Sequence, residues 1–180
     1  MRFDPEKHHR QSIRLRGFDY SAPGAYFVTI VTIGRELLFG EIVDREMRRN
    51  EYGEVAAACW AEMPHHFSNV VADIQVVMPN HVHGIVTIES GTFRFAKPFD
   101  PAAPRIASGS LPAIVRSYKA AVSRRINALR ENPAGQVWQR NYYEHIVRDQ
   151  GSLEAIRTYI RDNPLAWTTD PENPEAVGRV

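Results

Sequence analysis

The order in which strand-like and helix-like stretches follow one another constrains this chain more than any single residue does. A β-branched and aromatic run, AYFVTIVTI at 25–33, opens after Pro23-Gly24 and reads as a buried strand. Leu37 to Val43 and Glu46 to Asn50 flank Asp44-Arg45 and read as a hairpin, although its turn lacks the favoured glycine. Asn50 is placed to cap an Ala-rich helix that runs to about Pro64. Ile74 to Met78 is the next strand, Pro79-Asn80 interrupts it, and His81 to Ile88 follows as another. Residues 89–109 carry Gly, Pro and Ser and read as a long surface loop. Ser110 opens a helix to about Arg130, with Pro112 tolerated in its first turn. Val137 to Val147 is strand-like, and Ser152 to Asp162 is a last short helix stopped by Asn163-Pro164.

With the early hairpin set aside, the order is strand, helix, strand, strand, helix, strand. That is the split βαβ pattern of an α+β, ferredoxin-like sandwich: an antiparallel sheet covered on one face by two helices. The N-terminal hairpin and the final helix are additions to it. The organisation expected is an arm at 1–17, a domain at 18–167 and a loose, Pro-rich polar tail at 168–180. A content of 43% hydrophobic and 24% charged residues is that of a globular protein. No apolar run is long enough for a bilayer, and the start MRFDPEKHHRQSIRLRG lacks the apolar core of a signal peptide, so a cytoplasmic location and no membrane partner are expected. The lone Cys59 excludes an internal disulfide and is a poor start for a zinc site. Beside Trp60 in an apolar stretch, it reads as core.

The net charge of +1 conceals an uneven distribution. Between Pro101 and Arg130 stand Arg105, Arg116, Lys119, Arg124, Arg125 and Arg130, with no acidic residue among them. The rest of the chain holds sixteen basic against twenty-one acidic residues, a net of −5. A cationic segment on an otherwise acidic protein fits either an anionic partner or a solvated helix face. Arg10, Arg14 and Arg16 in the arm are open to the same two readings.

Two features are candidates for chemistry. His81 and His83 are two apart on an expected strand, so both imidazoles project from one face, with Val82 on the other. Paired imidazoles bind divalent ions well, but chance alone places about 0.3 such pairs in a chain of this composition. Two histidines also leave an ion under-coordinated. Further ligands are open among His65, His66, His145, a carboxylate and an amide oxygen such as that of Asn163. Tyr159 and Asn163 are four apart on the last helix, which presents a hydroxyl and an amide on one face. The alternative is that Tyr159 packs with Ile156 and Ile160 while Asn163 only ends the helix.

The segments VVMPNHVHGIV, IVRSYKAAVSRRIN, WQRNYYEHIVRD and YIRDNP occur in this order. Together they resemble the REP-associated tyrosine transposases, relatives of the small single-strand insertion-sequence transposases of bacteria. The resemblance runs from about Gln11 to Trp167. It implies a ferredoxin-like nuclease domain of the HUH class, with His81-Val82-His83 as that motif. It also implies Tyr159 as the nucleophile on the C-terminal helix, and Asn163 as the polar residue that completes the metal site. Many insertion-sequence relatives carry glutamine at that position, and asparagine is one methylene shorter. Tyr142 and Tyr143 are the rival nucleophiles.

The activity implied is a metal-assisted transesterification on single-stranded or hairpin DNA, with Mg²⁺ or Mn²⁺ as cofactor and a 5′-phosphotyrosine intermediate. Because the bond energy stays in that link, rejoining needs no nucleotide, in keeping with the absence of a G-x-x-x-x-G-K-[ST] loop. DNA contacts are expected from Arg14, Arg16, Arg105, Arg116, Lys119, Arg124 and Arg125, through phosphate. A bacterial protein, nucleoid-associated when bound to DNA, follows from the same resemblance, as monomer or homodimer. The alternatives are a hairpin DNA- or RNA-binding module that keeps the fold without cleaving, and a ferredoxin-like domain with an incidental histidine pair.

Overall fold

The computed structural model describes residue 15 and residues 18–90 and 107–176. Of the expected features, the 1–17 arm apart from Leu15, with Arg14 and Arg16, and most of the 89–109 loop, with Arg105, lie outside the described residues. Ten named elements form the rest. They are β1 (Gly24–Val31), β2 (Gly40–Val43), β3 (Glu46–Arg49), α1 (Glu51–Ala61), α2 (Met63–His66), β4 (Val70–Val77), β5 (His81–Ile88), α3 (Leu111–Leu129), β6 (Tyr143–Val147) and α4 (Gln150–Asp162). A 3₁₀ segment, Asn163–Thr169, continues from α4.

The main sheet has the order β4-β5-β1-β6, and every neighbouring pair is antiparallel. This is the ferredoxin-like arrangement, with β2 and β3 as a separate hairpin. Period-2 alternation assigns the two faces of the sheet. Tyr26, Val28, Ile30, Val82, Val86 and Ile88 join α1 and α3 in the larger core, beside Trp60, Ile114, Tyr118, Val122 and Ile126. Phe27 and Ile85 point to the other face and pack against Ile160 of α4, with Leu153, Ile156 and Tyr159 alongside. Burying side chains of this size is worth about 1.5–3 kcal/mol each. The face that a bare split βαβ fold leaves open is therefore roofed by α4.

Local chemistry explains the elements. The Asn50 side chain accepts hydrogen bonds from the Tyr52 and Gly53 amides and so caps α1. Asp149 caps α4 by accepting from the Ser152 amide at 2.8 Å, which starts this helix at Gln150, two residues before the Ser152 start expected. The ion pair between Arg157 and Asp73, 2.6 Å at its shortest, ties α4 to β4. The Asp44-Arg45 turn has φ of 53° and 67° at its two central residues, the left-handed geometry that suits a two-residue hairpin, here without glycine.

Two strands differ from the sequence expectation. β4 begins at Val70 rather than Ile74, because a bulge between Ala72 and Gln75 breaks the alternation that marks a strand. The expected strand from Val137 shrinks to Tyr143–Val147, preceded by an isolated bridge from Trp138 to Thr32. Around that bridge Gln139 N donates to the Val31 carbonyl and Ile33 N to the Val137 carbonyl, and beyond it the carbonyls of Gln139, Arg140 and Asn141 turn to the Lys119 ammonium of α3.

Candidate active site

His81 and His83 lie on the α4 side of β5, with ring centroids 4.4 Å apart. Each is held by a polar neighbour. Thr29 stands directly opposite His83 across the β1–β5 ladder, and its hydroxyl lies 2.8 Å from His83 Nδ1. The other ring nitrogen, Nε2, faces the Tyr159 hydroxyl at 3.3 Å. His81 Nδ1 lies 2.8 Å from Asn80 Oδ1. Both imidazoles are buried, with His81 at 0% and His83 at 3% exposure. Burial lowers the His81 pKa to about 4, against the opposing pull of Asp170 and Asn163, with Arg35 adding to the depression. Burial, then the neighbouring His81, pushes His83 well down. Both rings are neutral near pH 7 and offer lone pairs.

The 3₁₀ segment turns the chain back over these rings. Trp167 lies 6.2 Å from His81, centroid to centroid. Asp170 follows, 4% exposed, with Oδ2 4.0 Å from His81 Nε2. One ligand atom from each of His81, His83 and Asp170 lies within 4.8 Å of the others. Asn163, 1% exposed, donates from Nδ2 to Asp170 Oδ2 at 3.2 Å. This leaves Asn163 Oδ1 and His81 Nε2 buried without a hydrogen-bond partner. Unpaired buried acceptors beside a buried carboxylate are costly unless a cation joins them. The donor set of two imidazoles, a carboxylate and an amide oxygen suits a divalent ion.

The Tyr159 pKa is raised, first by burial and then by the negative field of Asp170, while Asn163 works the other way. Glu172 and Tyr143 add to the rise. The phenol is therefore protonated at rest. Ile160, next in the helix and fully buried against Phe27 and Ile85, fixes the rotation that aims Tyr159 at His83.

A Haemophilus influenzae protein described only as uncharacterised is 40% identical over 168 residues, spanning 91% of this chain and 92% of that one. The two belong to one family. No protein-family model matches the chain. Among solved structures, a REP-associated tyrosine transposase bound to a REP hairpin superposes with a TM-score of 0.58 at 16% identity, over 86% of this chain and 73% of that one. A transposase-like protein of Deinococcus radiodurans aligns with a TM-score of 0.46 at 17% identity, over 84% of this chain and 97% of that one. The TM-score of 0.58 shows that this chain has the fold of the REP-associated tyrosine transposase.

Of the residues singled out from sequence, His81, His83, Tyr159 and Asn163 meet in one place. Asp170 was not foreseen. It falls in the stretch expected to be a loose tail, yet Asp170 and Asn173 are buried, and the chain is ordered through turns in which each accepts from the amide two residues on. The spacing D-P-E-N-P is a turn signature that would have argued for order. In the sequence Asn80 carries only the signal of a strand break, and nothing local announces its contact with His81. The rival tyrosines separate: Tyr142 packs with the α1–α3 core, whereas Tyr143 pairs with Thr29 and sits 6.3 Å from Phe27 on the α4 face. His145 pairs with Phe27 farther along that strand, and His65 and His66 end α2.

The cations of α3 have different environments. Arg116 and Arg124 are exposed. Arg125 forms a bidentate pair with Glu62 at 3.0 and 2.6 Å. Lys119 points to the 139–141 carbonyls, and burial lowers its pKa to about 8. A groove of about 720 Å³ runs between α3 and residues 135–142, with Arg116, Lys119, Arg140, Trp138 and Tyr142 in its wall and no acidic side chain. No helix among the described residues is long and apolar enough to cross a membrane.

Proposed function

We propose that this protein is a metal-dependent nuclease and strand transferase that acts on single-stranded or hairpin DNA through Tyr159. What supports the reading is one juxtaposition. The Tyr159 hydroxyl approaches His83 beside a nest of buried acceptors, His81 Nε2, Asn163 Oδ1 and Asp170 Oδ2, of the kind that binds a divalent cation. An incidental histidine pair has no use for such a nest. The solved relative of the same fold, itself bound to a REP hairpin, makes hairpin DNA the substrate class to test first.

In this reading His81, His83, Asn163 and Asp170 would hold the ion, Mg²⁺ or Mn²⁺. When bound, the ion supplies positive charge that polarises a non-bridging phosphate oxygen and offsets the acidic field at the phenol. Tyr159 Oη attacks phosphorus. The new bond joins tyrosine to the 5′ phosphate and the P–O3′ bond breaks. The phenol gives up its proton and the departing 3′ oxygen gains one, which leaves a free 3′-hydroxyl. The reverse reaction rejoins strands. Thr29 and Asn80 hold the imidazoles in orientation, and Ile160 holds the helix that carries Tyr159. Arg116, Arg124 and Arg140 are the exposed cations best placed to meet DNA phosphates.

The test is a labelled DNA hairpin with single-stranded flanks, incubated with Mg²⁺ or Mn²⁺. Wild-type protein is expected to cut it and to form a covalent adduct that survives a denaturing gel. Tyr159→Phe is expected to bind the hairpin and form no adduct, while Tyr142→Phe and Tyr143→Phe still form it. Cutting without any adduct makes water the nucleophile, and binding without cutting makes the protein a hairpin-binding module.

A further inference from the structure

Asn80 is fully buried and is the first residue before the histidine pair. Its amide touches three separate parts of the chain. Nδ2 donates to the Arg35 carbonyl at 3.2 Å and to the Glu172 carbonyl at 2.7 Å. Oδ1 faces His81 Nδ1 at 2.8 Å. Carbonyl oxygens only accept, so the amide nitrogen must lie on their side. A flipped amide would set its oxygen against two other oxygens inside the protein. The oxygen therefore faces the imidazole, and His81 Nδ1 must be the donor. That places the His81 proton on Nδ1 and leaves Nε2 as a lone pair aimed toward Asp170 and Asn163. The backbone gives the amide little freedom to move, because the Asn80 carbonyl accepts from the Thr32 amide at 2.9 Å.

The same side chain also ties down the segment that carries Asp170. Glu172 is held at its carbonyl by Asn80 and at its carboxylate by Arg35 Nε, 3.1 Å away. Asp170 stands two residues earlier. We infer that Asn80 is a positioning residue with two linked tasks: it fixes the His81 tautomer, and it docks the 170–172 turn so that the Asp170 carboxylate faces the ring. The inference rests on the proposed metal site for the use of that lone pair, but the tautomer itself does not depend on any ion.

The experiment uses the full chain. Long-range ¹H–¹⁵N correlation spectra of the metal-free protein at neutral pH report which ring nitrogen of His81 carries the proton. Wild type is expected to show Nδ1–H. Asn80→Ala is expected to lose that preference and to bind Mn²⁺ about 10- to 100-fold more weakly by calorimetry, the usual cost of removing a partner that orients a ligand. Asn80→Asp keeps an acceptor against Nδ1, so it is expected to retain the tautomer while losing the tether to Glu172. Nε2–H in wild type overturns the inference, whether or not the variants fold. So do an unchanged tautomer and unchanged Mn²⁺ affinity in Asn80→Ala. Wild type that shows Nδ1–H yet binds neither Mn²⁺ nor Mg²⁺ upholds the tautomer assignment and removes the metal reading instead.

Discussion

Gly84 sits between His83 and Ile85 on β5, with its absent side chain directed at Trp60 on the helix side of the sheet. A methyl placed there would lie 2.3 Å from Trp60 Cζ2 and 2.4 Å from Cη2. Carbon atoms pack best at about 3.5–4.0 Å, so Gly84→Ala is short of space by more than about 1 Å. Trp60 has little room to retreat: it is 2% exposed and packs edge-to-face on Tyr118 at 5.5 Å. Overpacking of this kind costs about 1–3 kcal/mol, or roughly 5- to 150-fold in the unfolding equilibrium. Trp60→Phe removes the outer ring atoms and a buried indole N–H that has no partner. The double variant should therefore recover stability, with a coupling of at least about 1 kcal/mol in a urea-unfolding cycle. Strand displacement also moves His83 relative to Tyr159. A shift near 1 Å costs about 100-fold in rate, so cleavage by Gly84→Ala should fall and return together with stability in the double variant. Additive stability effects, or a Gly84→Ala protein as stable as wild type, would refute the close approach of Trp60 to the strand.

Asp170→Ala is expected to weaken Mn²⁺ binding by more than the roughly 10- to 100-fold that outer partners cost, as measured by calorimetry, while the circular dichroism spectrum stays unchanged. Ile160→Ala, at a fully buried position, should cost about 2–5 kcal/mol in urea unfolding, and Leu165→Ala, at an exposed one, less than about 0.5 kcal/mol. Burial lowers the folded-state pKa of Lys119 to about 8. Between about pH 8 and the ordinary 10.5 the unfolded chain thus binds more protons at this site, so its contribution to stability rises with pH there. Lys119→Met should remove that part of the slope from urea midpoints measured at pH 8 and pH 10. Arg116→Ala and Arg140→Ala should each weaken hairpin binding across sequences and reduce the log–log salt slope by about 1, read by fluorescence anisotropy at several salt concentrations.

The parts legible in the sequence are those with a short period or a local signature. His81, Val82 and His83 alternate, so the common face of the two imidazoles follows from strand geometry alone. Tyr159 and Asn163 share a helical face for the same kind of reason. The order of elements carries the sheet topology, since a split βαβ pattern leaves few ways to connect. What escaped depends on contacts between distant segments. Asp170 reaches His81 from 89 positions away in sequence, and an acidic residue among prolines resembles a solvated turn until its partners are known. Asn80 carries the strand-breaking signature of Pro79-Asn80, which hides its side chain's bond to the next residue. The stretch before β6 looks like strand by composition, and the contact of its carbonyls with Lys119 on another element is not visible in the local sequence.

Because the chain must fold back across residues 163–173 to complete the nest of acceptors, that nest is expected to have an opening equilibrium of its own. The segment is docked by a few links, Asn80 and Arg35 to Glu172 and His81 to Trp167 and Asp170, rather than by the apolar core beneath the sheet. Amide hydrogens of β1 and β5 should exchange only when the whole sheet opens. Those of 167–173 should exchange through a smaller, local excursion that leaves the sheet intact. If the nest holds an ion as proposed, this local latch would govern the fraction of molecules competent to bind it, and mild denaturant should abolish Mn²⁺ binding well before it melts the fold.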